Sequence, residues 1–193
     1  MGTLTEANIR ERGLREAGPR PPRALLNESV RDFAKHRTYD IFLSHSVRDD
    51  TLVLGVKAWL EDQNRTVYVD WIDDPQLDRS KVTPSTAEML RQRMDRCESL
   101  IYLHSENSGT SKWMPWELGY FDGKSGAVAI LPVTKTEQTN FSGQEYLGIY
   151  PWIDQGSLDL YGSESRMRVH KSSSDYKGWS EWTRQPKSFR KTV

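Results

Sequence analysis

The sequence predicts an α/β fold: a parallel sheet of about five strands with helices on both faces. Three observations predict it. Short, continuously apolar runs rich in β-branched residues recur along the chain. Between them, apolar residues repeat at helical spacing. Each run ends in a polar loop, as expected of strands buried on both faces and joined by crossovers.

The first strand is YDIFLS, Tyr39 to Ser44, followed by Leu52, Val53, Val56, Trp59 and Leu60 on one helix face. TVYVDW, Thr66 to Trp71, is the second strand, and a long acidic loop, Ile72 to Pro84, follows it. Thr83-Pro84-Ser85 is a helix start, with Ala87, Leu90, Met94 and Cys97 as the buried stripe of the helix. SLIYLHS, Ser99 to Ser105, is the third strand, and a short helix around Glu117 leads to the fourth, AVAILPV, Ala127 to Val133. EYLGIYPWI, Glu145 to Ile153, supplies a shorter fifth strand, and Trp179 and Trp182 mark a last helix. The predicted organisation is a charged, partly helical N-terminal extension (1–36), one domain (37–183) and a basic C-terminal tail (184–193). Within the extension GPRPPR, Gly18 to Arg23, interrupts helix, and a short helix starts near Asn27.

Composition narrows the function. With 193 residues, 36% of them hydrophobic, the chain is sized for one domain plus flanking segments. Lys+Arg and Asp+Glu balance at 27 each, so no global field recruits nucleic acid or an anionic membrane. Mean hydropathy is −0.74, no apolar run approaches the roughly 20 residues of a membrane span, and no signal-peptide pattern is present. MGTLTE lacks the myristoylation pattern, because Glu6 stands where Ser or Thr is needed. The expected location is the cytoplasm. The one cysteine, Cys97, excludes an internal disulfide and reads as a small core residue.

In a parallel sheet the ligand crevice lies beyond the carboxyl ends of the strands. The loops after Ser44, Trp71, Ser105 and Val133 are therefore expected to build the site. Ser44, His45 and Ser46 follow the first strand directly, and Arg48 is placed to bind a phosphate; the bland alternative is a helix cap by Ser46 or Asp49. In SKWMPWELGYFDG, Ser111 to Gly123, Glu117 has two readings. With Pro115 at the first helical position it is a third-position carboxylate favoured by the macrodipole. Alternatively it is held against an aromatic wall for chemistry, with Trp113 one turn earlier on the same face. Trp116 reads as core, paired with Tyr120. Asp70, Asp73, Asp74 and Asp78 fit no metal-ligand spacing and read as a solvated loop, so no metal is expected. The chain lacks a Gly-rich phosphate loop.

In that order, YDIFLSHS, TVYVDWIDDPQLD, SLIYLHSENSGTSKWMPWELGYFDG and AVAILPV resemble a bacterial Toll/interleukin-1 receptor (TIR) domain of the standalone kind, over about Arg37 to Ile153. The resemblance implies a flavodoxin-like fold. It also implies NAD+ as substrate rather than cofactor, with its nicotinamide–ribose bond cleaved by hydrolysis or by cyclisation to an ADP-ribose isomer. Such products act as nucleotide signals to a downstream effector in immunity, as in Thoeris anti-phage systems. The family's essential glutamate falls on Glu117, and Ser44, His45, Arg48, Trp71 and Trp113 are the expected substrate contacts. A composite site, completed by the Ile72 to Pro84 loop of a self-associated neighbour, is implied as well. That loop departs from receptor-type members in carrying Asp73-Asp74-Pro75 in place of a Pro-Gly pair. The alternatives are a non-catalytic TIR scaffold that acts by assembly, or a nucleoside deoxyribosyltransferase-like enzyme.

A single carboxylate suits the implied reaction. Cleavage at the ribose passes through an oxocarbenium-like state, as glycoside hydrolysis does. Nicotinamide leaves as a neutral pyridine and needs no general acid, so one anion beside the sugar is enough.

Overall fold

The structure, a computed structural model, describes residues 2–31, 38–70, 83–142, 145–155 and 167–189. The chain begins with strand β1 (Leu4–Thr5) and helices α1 (Glu6–Ala17) and α2 (Pro22–Arg31). Strand β2 (Tyr39–Ser44), helix α3 (Asp50–Glu61), strand β3 (Val67–Val69), helix α4 (Pro84–Met94) and strand β4 (Cys97–His104) follow. Next come helix α5 (Trp113–Lys124) and strands β5 (Val128–Thr134), β6 (Trp152–Gln155), β7 (Met167–His170) and β8 (Tyr176–Gly178), then helix α6 (Trp179–Arg184).

The sheet runs β3-β2-β4-β5-β6-β7-β8, with β1 beside β5, eight strands among the described residues. The run from β3 to β6 is parallel, and β7 and β8 extend it antiparallel. About five strands were expected. The additional ones, β1, β7 and β8, are short, with two, four and three residues. The expected fifth strand splits into a 3-10 turn at Glu145–Ile149 and β6.

Alternation along the buried strands sends the core to two faces. Ile41, Leu43, Ile101, Leu103, Ala129 and Leu131 join α1, α3 and α6 on one side. Phe42, Leu100, Tyr102, Ile130 and Trp152 join α4 and α5 on the other. Helix α4 begins as its sequence dictates: Thr83 caps it by accepting from the Thr86 N–H, and Pro84 takes the first position. It ends at Met94, so Cys97 is not on the helical stripe but opens β4, where it is buried. Burial pushes its thiol above the ordinary cysteine range.

The N-terminal segment is woven into this core. Strand β1 pairs with the end of β5, Leu4 against Val133, and the Thr3 and Thr134 hydroxyls meet at 2.6 Å. Helix α1 buries Ile9, Gly13 and Ala17, one residue per turn, against α3. The crossing is so close that a Cβ on Gly55 would stand 2.0 Å from the Ile9 carbonyl oxygen, and one on Gly13 2.0 Å from that of Thr51. On a free helix Gly55→Ala would gain about 1 kcal/mol of propensity. Here the obstacle is backbone, and α1 must move. The expected result is a loss of about 1–3 kcal/mol, read as a thermal midpoint about 2–12 °C lower. An unchanged or raised midpoint would show that α1 does not pack on Gly55.

Candidate active site

One row of the sheet carries the site. Ser44, Tyr102, Ile130, Trp152, His170 and Tyr176 stand opposite one another across β2, β4, β5, β6, β7 and β8. On this face, α5 lowers Glu117 onto the sheet. Its side chain is fully buried, and the Ser44 hydroxyl donates to Glu117 Oε2 at 2.6 Å. Two residues 73 positions apart are thus joined at the carboxyl end of the first long strand.

The structure also revises the reason for a glutamate at this point. Helix α5 begins at Trp113, two residues earlier than the proline suggested, and its first turn holds no acidic residue. Glu117 lies in the second turn, where the macrodipole's pull has faded. A carboxylate without solvent is costly unless it is hydrogen-bonded. Helix stabilisation therefore does not account for it.

The other expected contacts divide. Trp113 opens α5 half-buried, edge-on to Trp116 with ring centres 5.5 Å apart. Trp116 stacks on Tyr120 at 5.9 Å as the spacing implied, but it too is only half-buried; the fully buried residue of that turn is Met114. His45 is buried, and its Nδ1 lies 2.9 Å from the Leu43 carbonyl oxygen, so the ring folds back on its own strand. Arg48 is exposed in the loop after β2. Trp71, with Asp73, Asp74 and Asp78, lies outside the described residues.

Several polar groups near the strand ends were misread or missed in the sequence. Asp49 does not cap α3 with its side chain. Instead, fully buried, it accepts from the Ser105 hydroxyl at 2.5 Å and from Asn107 Nδ2 at 2.7 Å, in the loop after β4. Ser46 does little better as a cap, its hydroxyl accepting from the Arg48 N–H at a long 3.4 Å. Tyr102, beside Ser44, has its hydroxyl pKa pushed up to about 12 by burial, with Tyr146 adding to the effect, so it faces the site as a neutral phenol. Desolvation lowers the His104 pKa, and its ring packs edge-on to Phe141 at 5.2 Å. Asp70, expected in a solvated acidic loop, is instead buried at the end of β3, where it is paired with Arg93 at 2.8 Å and accepts from the Tyr68 hydroxyl at 3.2 Å. Only the pattern of polar residues at strand ends could have pointed to these groups; their partners are set by the fold.

A largely parallel sheet thus carries a buried glutamate, set at the carboxyl edge of its strands by a twelve-residue helix rich in aromatics. The sequence pattern of the TIR domain family matches residues 41–164, and the chain belongs to that family. It is 46% identical over 162 residues, 83% of each chain, to a protein of Bacillus cereus (strain MSX-D12) named "Probable 3' cyclic ADP-D-ribose synthase ThsB'". It is also 28% identical over 85 residues to a protein of Cytobacillus dafuensis named "Putative cyclic ADP-D-ribose synthase TIR2", covering 44% of this chain and 22% of that one. Among the described residues no helix is long and apolar enough to cross a membrane.

Proposed function

We propose that this TIR domain cleaves the nicotinamide–ribose bond of NAD+ and closes the remainder into a cyclic ADP-ribose, with Glu117 as the catalytic carboxylate. The observation that carries the reading is the fully buried Glu117, beyond the first turn of its helix and held by the Ser44 hydroxyl at the sheet's carboxyl edge. The names borne by its relatives support the same chemistry.

The C–N bond breaks with its electron pair going to nicotinamide, which departs neutral. The positive charge this leaves on the ribose faces Glu117, and Ser44 fixes the carboxylate's orientation before the charge develops, the preorganisation that lowers such barriers. A hydroxyl from the other end of the same molecule then attacks the sugar carbon and releases its proton, which gives the cyclic product; water in its place gives ADP-ribose. Trp113, half-buried one turn before Glu117, is positioned to stack on a base and exclude that water. Arg48 is available to a phosphate.

The test is mass spectrometry of the products after incubation with NAD+. Free nicotinamide with a product one water lighter than ADP-ribose is expected. ADP-ribose alone would leave cleavage and remove cyclisation. No nicotinamide at any concentration would return the chain to the scaffold reading, and base exchange on nucleosides would favour the transferase.

Self-association belongs to the same proposal. A site on one edge of a sheet encloses a dinucleotide poorly, and water exclusion strengthens each electrostatic contact within it. Specific activity is expected to rise with protein concentration in step with oligomer size by light scattering. Full activity from a strictly monomeric sample would end this part of the proposal. The signal's receiver is expected to be a separate effector.

A further inference from the structure

Asp49 occupies the position just before α3, where an aspartate ordinarily satisfies its own helix. Here it reaches across to the loop after β4. Its Oδ2 takes the Ser105 hydroxyl and its Oδ1 the Asn107 amide, while the Ser105 oxygen accepts in turn from the Asn107 N–H at 3.2 Å. The Ser108 hydroxyl closes the loop by donating to the Ser105 carbonyl at 2.8 Å. This loop launches α5 through Ser111, whose hydroxyl accepts from the Met114 N–H at 3.3 Å. The carboxylate therefore fixes where α5 starts, and with it where Glu117 meets Ser44.

The N-terminal segment reaches the same carboxylate. Arg10 on α1 is bonded through Nε to Glu6 at 2.8 Å, and its Nη2 stands 3.8 Å from Asp49 Oδ1. One cation at the solvent side thus balances a charge that is otherwise buried.

We propose that Asp49 is a positioning residue of the active site and that Arg10 makes helix α1 part of the same device. The clamp holds the loop of residues 105–111, the loop holds the start of α5, and α5 holds Glu117 against Ser44. The inference rests on the NAD+-cleaving reading for its catalytic consequence, but not for the clamp itself.

Two measurements on the full-length chain separate these parts. Hydrogen–deuterium exchange reads the clamp directly: Asp49→Asn should speed exchange of the backbone amides of residues 105–111, and Arg10→Gln should do so less. Steady-state NAD+ turnover reads the consequence. Small misplacements of a catalytic group cost up to about a hundredfold, so Asp49→Asn should lower kcat about 10- to 100-fold with a smaller change in KM. Arg10→Gln, at a partly exposed pair, should cost up to about fivefold, and Arg10→Lys should restore most of it. Unchanged exchange in both variants, or faster exchange with wild-type kcat, overturns the proposal. Should Asp49→Asn fail to fold, Arg10→Gln and its lysine rescue decide by the same two readouts. A wild-type chain that releases no nicotinamide would instead sink the functional reading, leaving the exchange data to decide whether the clamp exists.

Discussion

Glu117→Gln should abolish most NAD+ cleavage while leaving the fold intact. The amide keeps the shape of the side chain and can still accept the Ser44 hydroxyl bond, now 2.6 Å long. What it loses is the negative charge that faces the sugar as its bond to nicotinamide breaks. Removing one preorganised electrostatic partner of this kind costs about a hundredfold or more in rate, or about 2.7 kcal/mol of barrier. A second readout has the opposite sign. A charge held without solvent lowers stability, so the thermal midpoint of Glu117→Gln should be equal to or above that of the wild type. Lower activity with equal or higher stability marks a residue kept for chemistry. Wild-type nicotinamide release from a folded Glu117→Gln protein would remove the catalytic assignment.

Arg93→Met should produce the largest loss of stability. Arg93 and Asp70 are both buried, 9% and 1% exposed at their side chains, and meet at 2.8 Å. Withdrawing the cation takes an ion-pair partner from a buried carboxylate at the end of β3, a change worth about 3–5 kcal/mol in buried pairs. For a chain of this size that is a fall of about 6–20 °C in thermal midpoint. The pair need not be stabilising relative to an apolar one, and the double variant tests this. Asp70→Leu with Arg93→Met should recover much of the loss. Recovery should be partial, because the Tyr68 hydroxyl loses an acceptor now 3.2 Å away. Strictly additive single and double effects would show that the two side chains are not coupled.

The elements legible in the sequence were those whose signal is local. Tyr39–Ser44 is a strand at both predicted ends, Thr83-Pro84 caps α4 as its residue types demand, and Trp179 and Trp182 are buried in α6. Glu117 and Ser44 were each selected from their place beside a strand or aromatic run, but their contact was not readable, because it joins residues far apart in the chain. Helix α1 escaped because its buried stripe is Ile9, Gly13 and Ala17. Two of these three are too small to register as hydrophobic, and smallness is what the close crossing with α3 requires. Helix α2 starts at Pro22, inside the segment read as an interruption, since a proline suits the first turn of a helix as well as it ends one. Asp49 looked like a cap because its neighbours are local, whereas its partners Ser105 and Asn107 are set by strand order.

The pairing of β1 with β5 bears on how the chain acquires its fold. Leu4 and its partner Val133 are separated by well over a hundred positions of chain. Closing so long a loop costs entropy that a two-residue strand cannot repay alone. The N-terminal residues must therefore wait, unpaired, until the central strands have assembled, and then dock as a late step. If α1 waits with them, Arg10 reaches Asp49 only once the sheet exists. A chain still folding would then hold Glu117 and Asp49 in place before Arg10 arrives, and the last increment of activity would come with the docking of the N-terminal segment.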